Sequence, residues 1–272
     1  MTKAKVYMTD FRVPVGLSLP EKLKRLCRRA GMEKEIDFEG KYTAIKMHFG
    51  ELGNLASLRP QYVHALADLV KEAGGLPFLT DCNTLYPGSR KNALEHLECA
   101  ALNGYNPITT GCQVLIGDGL RGTDEVEVPV PGGEYIKKAK IGRAIMDADV
   151  FISLAHFKGH ESTGFGGAIK NIGMGCGSRA GKRSSTLLEN LLSMSRSAVT
   201  ANAAPRNAVR MPSLTKRARP TSIRRDALAA AAVSGRVPLM PLKPWSGMPT
   251  SCLTVRWRNM PWPSFMVGLL SM

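Results

Sequence analysis

Four side chains able to hold or move charge, His156, Lys158, His160 and Lys170, fall within 15 residues, with Gly159, Gly164, Gly166 and Gly167 interleaved among them. Glycine lets backbone N–H groups approach an anionic group closely, and a lysine adds a point charge to such a cradle. An imidazole ordinarily titrates near neutrality, so His160 suits the part of proton acceptor or donor. His48, Asp81 and Asn83 extend the set upstream, because each follows a short apolar run, in IKMHFGELGNL (45–55) and FLTDCNTLYPGSR (78–90). The expected catalytic residues are therefore His160, Lys170 and His48. Asp81, Asn83, His156, Lys158, Gly164, Gly166 and Gly167 are the expected cofactor- or ligand-binding residues, and the ligand class is an anionic small molecule. Plainer roles stand beside these: His48 as a hydrogen-bonded structural residue, Asp81-Cys82-Asn83 as a helix cap, and the glycines as tight turns.

These residues need elements to carry them. Apolar periodicity predicts strands over 4–8, 42–49, 76–80, 113–117, 125–130 and 150–155, and helices over 19–30, 60–73, 89–102 and 141–148. Pro131-Gly132-Gly133 reads as the turn of a hairpin. Alternating strands and helices imply an α/β fold, a mostly parallel sheet with helices on both faces. In such sheets ligands sit beyond the carboxyl ends of the strands, and His48, Asp81 and His156 each follow a predicted strand. They should form one rim.

Composition divides the chain. Up to Lys182 it holds 24 Lys and Arg against 20 Asp and Glu, whereas residues 183–272 hold 13 against 2. All five His and all six Tyr precede Arg183, and all three Trp follow it. Residues 1–182 therefore read as the N-terminal portion of an α/β domain, incomplete by itself, and 183–272 as an aberrant, largely disordered basic tail. Such charge invites a nucleic-acid reading, but no motif or regular aromatic spacing supports one. The charged opening residues resemble no signal peptide, and no apolar run reaches the length of a membrane span. The six Cys form no CxxC pair, so they are expected to be reduced thiols of a cytoplasmic protein with no metal site.

The strings IKMHFGELGNL, FLTDCNTLYPGSR, IGDGLRGTDEVEV (116–128) and ISLAHFKGHESTGFGGAIKNIGMGCGSRAGK (152–182) together resemble the uncharacterised Fe–S centre protein family, a domain-of-unknown-function family. In that family, the resemblance implies, a ferredoxin-like segment with two [4Fe–4S] clusters follows the last string, and the α/β domain then resumes. This chain departs from the pattern after Lys182. Read two bases further along, however, an Ala or Val codon preceded by T becomes a Cys codon. Ala198, Ala201, Ala204 and Ala208, then Ala227, Ala230, Val233 and Val237 followed by Pro238, reproduce the spacing of two ferredoxin cysteine runs. Every residue preceding one of these eight has a codon ending in T. The tail is thus expected to be a ferredoxin segment read out of frame, and no cluster is expected in the chain as written, whose tail holds a single thiol, Cys252.

A second resemblance concerns one segment only. His160-x3-Gly164-Phe165-x-Gly167 followed by Lys170 is similar to a segment of the nickel-pincer lactate racemase family, in which a lysine holds the cofactor and histidines shuttle the substrate proton. Three functional classes follow: an Fe–S redox protein with a small-molecule site and an electron-transfer partner, a non-redox enzyme or cofactor-binding protein using His48, His160 and Lys170, and a basic interaction protein.

Overall fold

The computed structural model of the 272-residue chain describes residues 6–131, 136–160 and 164–184 in full and the backbone of 252–256 and 264–270. The elements begin with β1 (Val6–Tyr7), α1 (Leu19–Arg29), α2 (Met32–Glu35), β2 (Tyr42–Lys46), α3 (Pro60–Glu72) and β3 (Leu76–Asp81). Then come α4 (Ala93–Leu102), α5 (Pro107–Thr110), β4 (Gln113–Ile116), β5 (Glu125–Pro129) and β6 (Lys138–Gly142). The rest are α6 (Arg143–Met146), β7 (Val150–His160), β8 (Gly164–Gly166), α7 (Ala168–Gly173), β9 (Cys252–Arg256) and β10 (Ser264–Leu270). Among the described residues no helix is long and apolar enough to cross a membrane.

The main sheet has the order β1-β9-β10-β7-β2-β3-β4, with β8 paired to the far end of β7. Strands β10, β7, β2, β3 and β4 are mutually parallel, while at one edge β9 runs antiparallel to β10 and β1 antiparallel to β9. The fold is therefore the expected α/β class with a mostly parallel sheet. Successive strand residues point to opposite faces. Ile45, Leu79 and Ile152 accordingly join the core under α1 and α3, while their neighbours Ala44, Phe78 and Phe151 pack on the other face with Ile145 and Cys176. Covered on both faces, these strands read as continuous apolar runs.

Local signals set the helix ends. Ser18 caps α1 by accepting from the Glu21 amide at 3.3 Å, and Asn92 caps α4 by accepting from the Glu95 amide at 3.0 Å. The expected helix over 89–102 thus starts later, at Ala93, because Arg90 is drawn into the core and its carbonyl accepts from the Thr84 amide at 2.8 Å. The expected helix over 141–148 is corrected more deeply. Lys138–Gly142 pair with Glu125–Pro129 as an antiparallel ribbon, leaving one helical turn at Arg143–Met146. Strand β7 runs to His160 rather than Ala155, because Gly164–Gly166 fold back and pair with Lys158–His160. Most of the predicted turn at 131–133, and the start of the strand predicted over 4–8, lie outside the described residues.

Candidate functional site

From β2 the chain moves outward to β3 and β4, then returns to the opposite side of β2 as β7. The carboxyl ends of β2 and β7 therefore border a topological switch point, where parallel sheets leave a crevice for ligands. Lys46, the last residue of β2, is wholly buried there beside Ser153 of β7. Its ammonium lies 3.0 Å from Asp81 Oδ1 and donates to Asn171 Oδ1 at 2.8 Å. Asn171, on α7, donates in turn to the Lys46 carbonyl at 3.0 Å and to Ser153 Oγ at 2.9 Å. One side chain thus pins α7 to both strands of the switch point. A Cβ on Gly175 would lie 2.1 Å from the Asn171 carbonyl oxygen and 2.6 Å from Lys46 Nζ, so only glycine allows this approach.

Around Asp81 a second layer of charge assembles. Arg90, 1% exposed, reaches Asp81 Oδ2 at 3.2 Å, Glu51 Oε1 at 2.6 Å and the Tyr86 hydroxyl at 2.6 Å. Burial alone would raise the Asp81 pKa, but Lys46 and the imidazoles of His96 and His48 hold it well below the usual carboxylate value. His48 receives the Gly50 amide on Nδ1 at 3.0 Å, while Arg90 Nη2 stands 3.0 Å from Nε2. Both ring nitrogens face donors, which opposes double protonation. Although part of the ring reaches the surface, close packing and the Arg90 charge push its pKa down to about 4.

Asn83 belongs to a third layer. Its amide and side chain both donate to Asp118 Oδ1 at 2.9 Å, its side chain also donates to the Gly119 carbonyl at 2.9 Å, and His96 Nδ1 stands 3.3 Å from its Oδ1. Lys182 closes the layer by donating to the carbonyls of Cys82 and Asn83 at 3.1 and 2.8 Å. Burial lowers the Lys182 pKa and raises that of Asp118.

The other predicted residues cluster on the β7–β8 hairpin. Lys170 contacts His160 Nε2 directly, and Phe157 stacks on Phe165 with centroids 5.4 Å apart. Gly164 sits at φ +76°, a backbone conformation open to glycine, whereas a Cβ on Gly167 would meet Phe157 at 3.2 Å. Lys158 donates to the Gly159 carbonyl at 3.1 Å, and burial lowers the His156 pKa. The predicted set therefore forms two groups: Asp81 and Asn83 in the buried network with His48 at its exposed margin, and His160 at the end of β7 with Lys170 on α7. Neighbouring residues of α7, Asn171 and Lys170, reach one group each. Sequence reasoning missed Lys46, Glu51, Arg90, His96, Asp118, Asn171 and Lys182, although Arg90 and Lys182 close two of the strings quoted above.

Residues 43–221 match the family described as Domain of unknown function (DUF362). The chain belongs to this family. It is 32% identical over 124 residues to the thylakoid-associated protein sll1697 of Synechocystis sp. (strain ATCC 27184 / PCC 6803 / Kazusa), an alignment covering 43% of this chain. The chain spans about a third of that relative's length, 32%. The DUF362 chain is also similar to the lactate racemase apoprotein from Thermoanaerobacterium thermosaccharolyticum, at 16% identity and a TM-score of 0.40, over 62% of this chain and 35% of that one.

The buried network generates two expectations. Arg90→Met would leave Asp81 and Glu51 short of a cation, and removing one partner of a buried pair typically costs about 3–5 kcal/mol. Urea denaturation should show a loss of that size, with Arg90→Lys restoring little because an ammonium cannot replace the guanidinium fork; a loss below about 1 kcal/mol, the scale of an exposed pair, would refute this. Because the His48 pKa is depressed on folding, the unfolded chain binds the extra proton first as pH falls from the ordinary 6.5 towards about 4. Stability should therefore be complete above that window and decline through it. His48→Asn should flatten that part of the stability profile, and an identical slope in the variant would assign the acid sensitivity elsewhere.

Proposed function

We propose that the α/β domain binds an anionic small molecule or cofactor at the carboxyl ends of β2, β3 and β7, with Lys170 and His160 facing it. The supporting observation is the seating of α7: Asn171 anchors the helix in the switch-point crevice while the preceding residue sets its ammonium against His160 Nε2. A lysine that donates to an imidazole nitrogen keeps that nitrogen unprotonated. An arriving phosphate or carboxylate competes for the ammonium and releases Nε2 to accept a proton, so the pair combines anion binding with general-base chemistry. The glycines around it leave backbone amides accessible.

Calorimetric screening of nucleotides and small carboxylates against the full chain supplies the test. Lys170→Ala should weaken the ligand found by about 1.5–3 kcal/mol, the scale of a hydrogen bond to a charged group, and Lys170→Arg should recover only part of it. Equal affinity in wild type, Lys170→Ala and His160→Ala would make the rim structural.

The redox part of the reading rests on the codon register of the tail. A [4Fe–4S] cluster takes four thiolates. Among the described residues, Cys27, Cys82, Cys99, Cys112 and Cys176 are all buried, and no three metal-ligating side chains converge. Those residues do not fit a cluster. Where the codons before them end in T, shifting the frame from Arg183 would replace the eight Ala and Val positions by Cys in two ferredoxin runs. The repaired protein, expressed anaerobically, should carry iron and acid-labile sulfide for two clusters with broad visible absorbance. A folded but colourless repaired protein would remove the redox part and leave the anion site standing.

A further inference from the structure

At the carboxyl ends of β3 and β4 an open cavity of about 600 Å³, to whose described lining neither His160 nor Lys170 contributes, is lined by Leu85, Arg121, Thr123, Arg179, Ala180 and Arg183, with Gly122 in its wall. Three of these described lining residues carry guanidinium groups and none carries a carboxylate. We propose that this cavity is a separate binding site for a phosphate-bearing small molecule of nucleoside diphosphate size.

The wall is held from several sides. The Arg179 amide donates to Asp118 Oδ2 at 3.1 Å and to the Gly122 carbonyl at 3.2 Å, and its Nη1 donates to the Lys91 carbonyl at 3.2 Å. Gly122 sits at φ +77°, and a Cβ there would lie 2.6 Å from Arg179 Cβ, so the loop after β4 and the segment carrying Arg179 meet this closely only through glycine. Ser178 Oγ accepts from the Gly181 amide at 2.9 Å, and the buried Lys182 ammonium is fastened to the loop after β3. The segment bearing Arg179 and Arg183 is thereby fixed at both ends.

The acids nearby are already engaged. Asp118 is buried beneath the wall and accepts backbone amides, and Asp124 stands 3.6 Å from Arg143. The described lining of the cavity therefore carries an excess of positive charge. Guanidinium forks match phosphate oxygens in pairs, and several together suit a diphosphate better than a single carboxylate. The volume lies within the range of small-molecule sites, about 300–1,000 Å³, and exceeds what a lone phosphate needs. Leu85 and Ala180 offer apolar surface to the rest of such a ligand.

The test is calorimetric titration of the full chain with ADP at low ionic strength, with pyrophosphate and citrate as competitors. Arg121→Ala and Arg183→Ala should each weaken ADP by about tenfold or more, the loss of one charge-assisted contact, while melting as wild type. Arg59→Ala, which removes the same charge at the exposed start of α3, should leave ADP affinity unchanged. Pyrophosphate should displace ADP more effectively than citrate. No ADP binding, an equal loss in Arg59→Ala, or displacement by citrate as strong as by pyrophosphate would each overturn the proposal. A loss in Lys170→Ala alone would place the nucleotide at the hairpin instead.

Discussion

Asp81 is a buried carboxylate, 3% exposed, and the arrangement around it constrains much of the molecule. Removing such a charge from water costs several kcal/mol unless cations and donors replace the lost hydration. Lys46 supplies one cation from the end of β2, and Arg90 supplies another from the loop ahead of α4. In register, Lys46 lies opposite Thr80, so a slip of β2 against β3 would carry the ammonium away from Asp81 and leave both charges unpaired. The pair thus rewards one strand alignment, and the Arg90 branch rewards one conformation of the 83–91 loop.

The same network seats α7. Lys46 also holds Asn171, so the short helix α7, none of whose residues is fully buried, is located by hydrogen bonds as well as by the packing of Ile172 on the second core cluster. A helix of six residues would not persist alone in water. Its position beside the β7–β8 hairpin, and hence the contact between Lys170 and His160, depends on a polar anchor in the sheet.

Positive groups recur along the carboxyl edge: Lys170 at the hairpin, Lys182 beneath the loops, and Arg121, Arg179 and Arg183 around the cavity. Parallel strands already direct their ligand crevice to this edge, and clustered cations raise the local concentration of anions there. Membership of the DUF362 family and the α/β fold leave chemistry open, since one fold hosts many activities. The chemistry must be argued from these groups.

Several features were legible in the sequence because their causes are local. Apolar runs marked β2, β3, β4 and β7, and helical periodicity marked α1 and α3. His160 and Lys170 stand ten residues apart, so closeness in the sequence already groups them. Other features depend on partners distant in the chain. Ile141 and Gly142 open the helix predicted over 141–148, but pairing with β5 makes them the end of a strand, because tertiary hydrogen bonds outweigh a weak local preference. Arg90 falls at the start of the helix predicted over 89–102, and only the buried Asp81 explains its place in the interior. Lys46 and Asn171 are 125 positions apart, and no periodicity links them. The sequence by itself determined which residues could carry charge and which segments could pair. The tertiary structure decided which charges meet, because a buried charge is stable only where the fold brings it a partner.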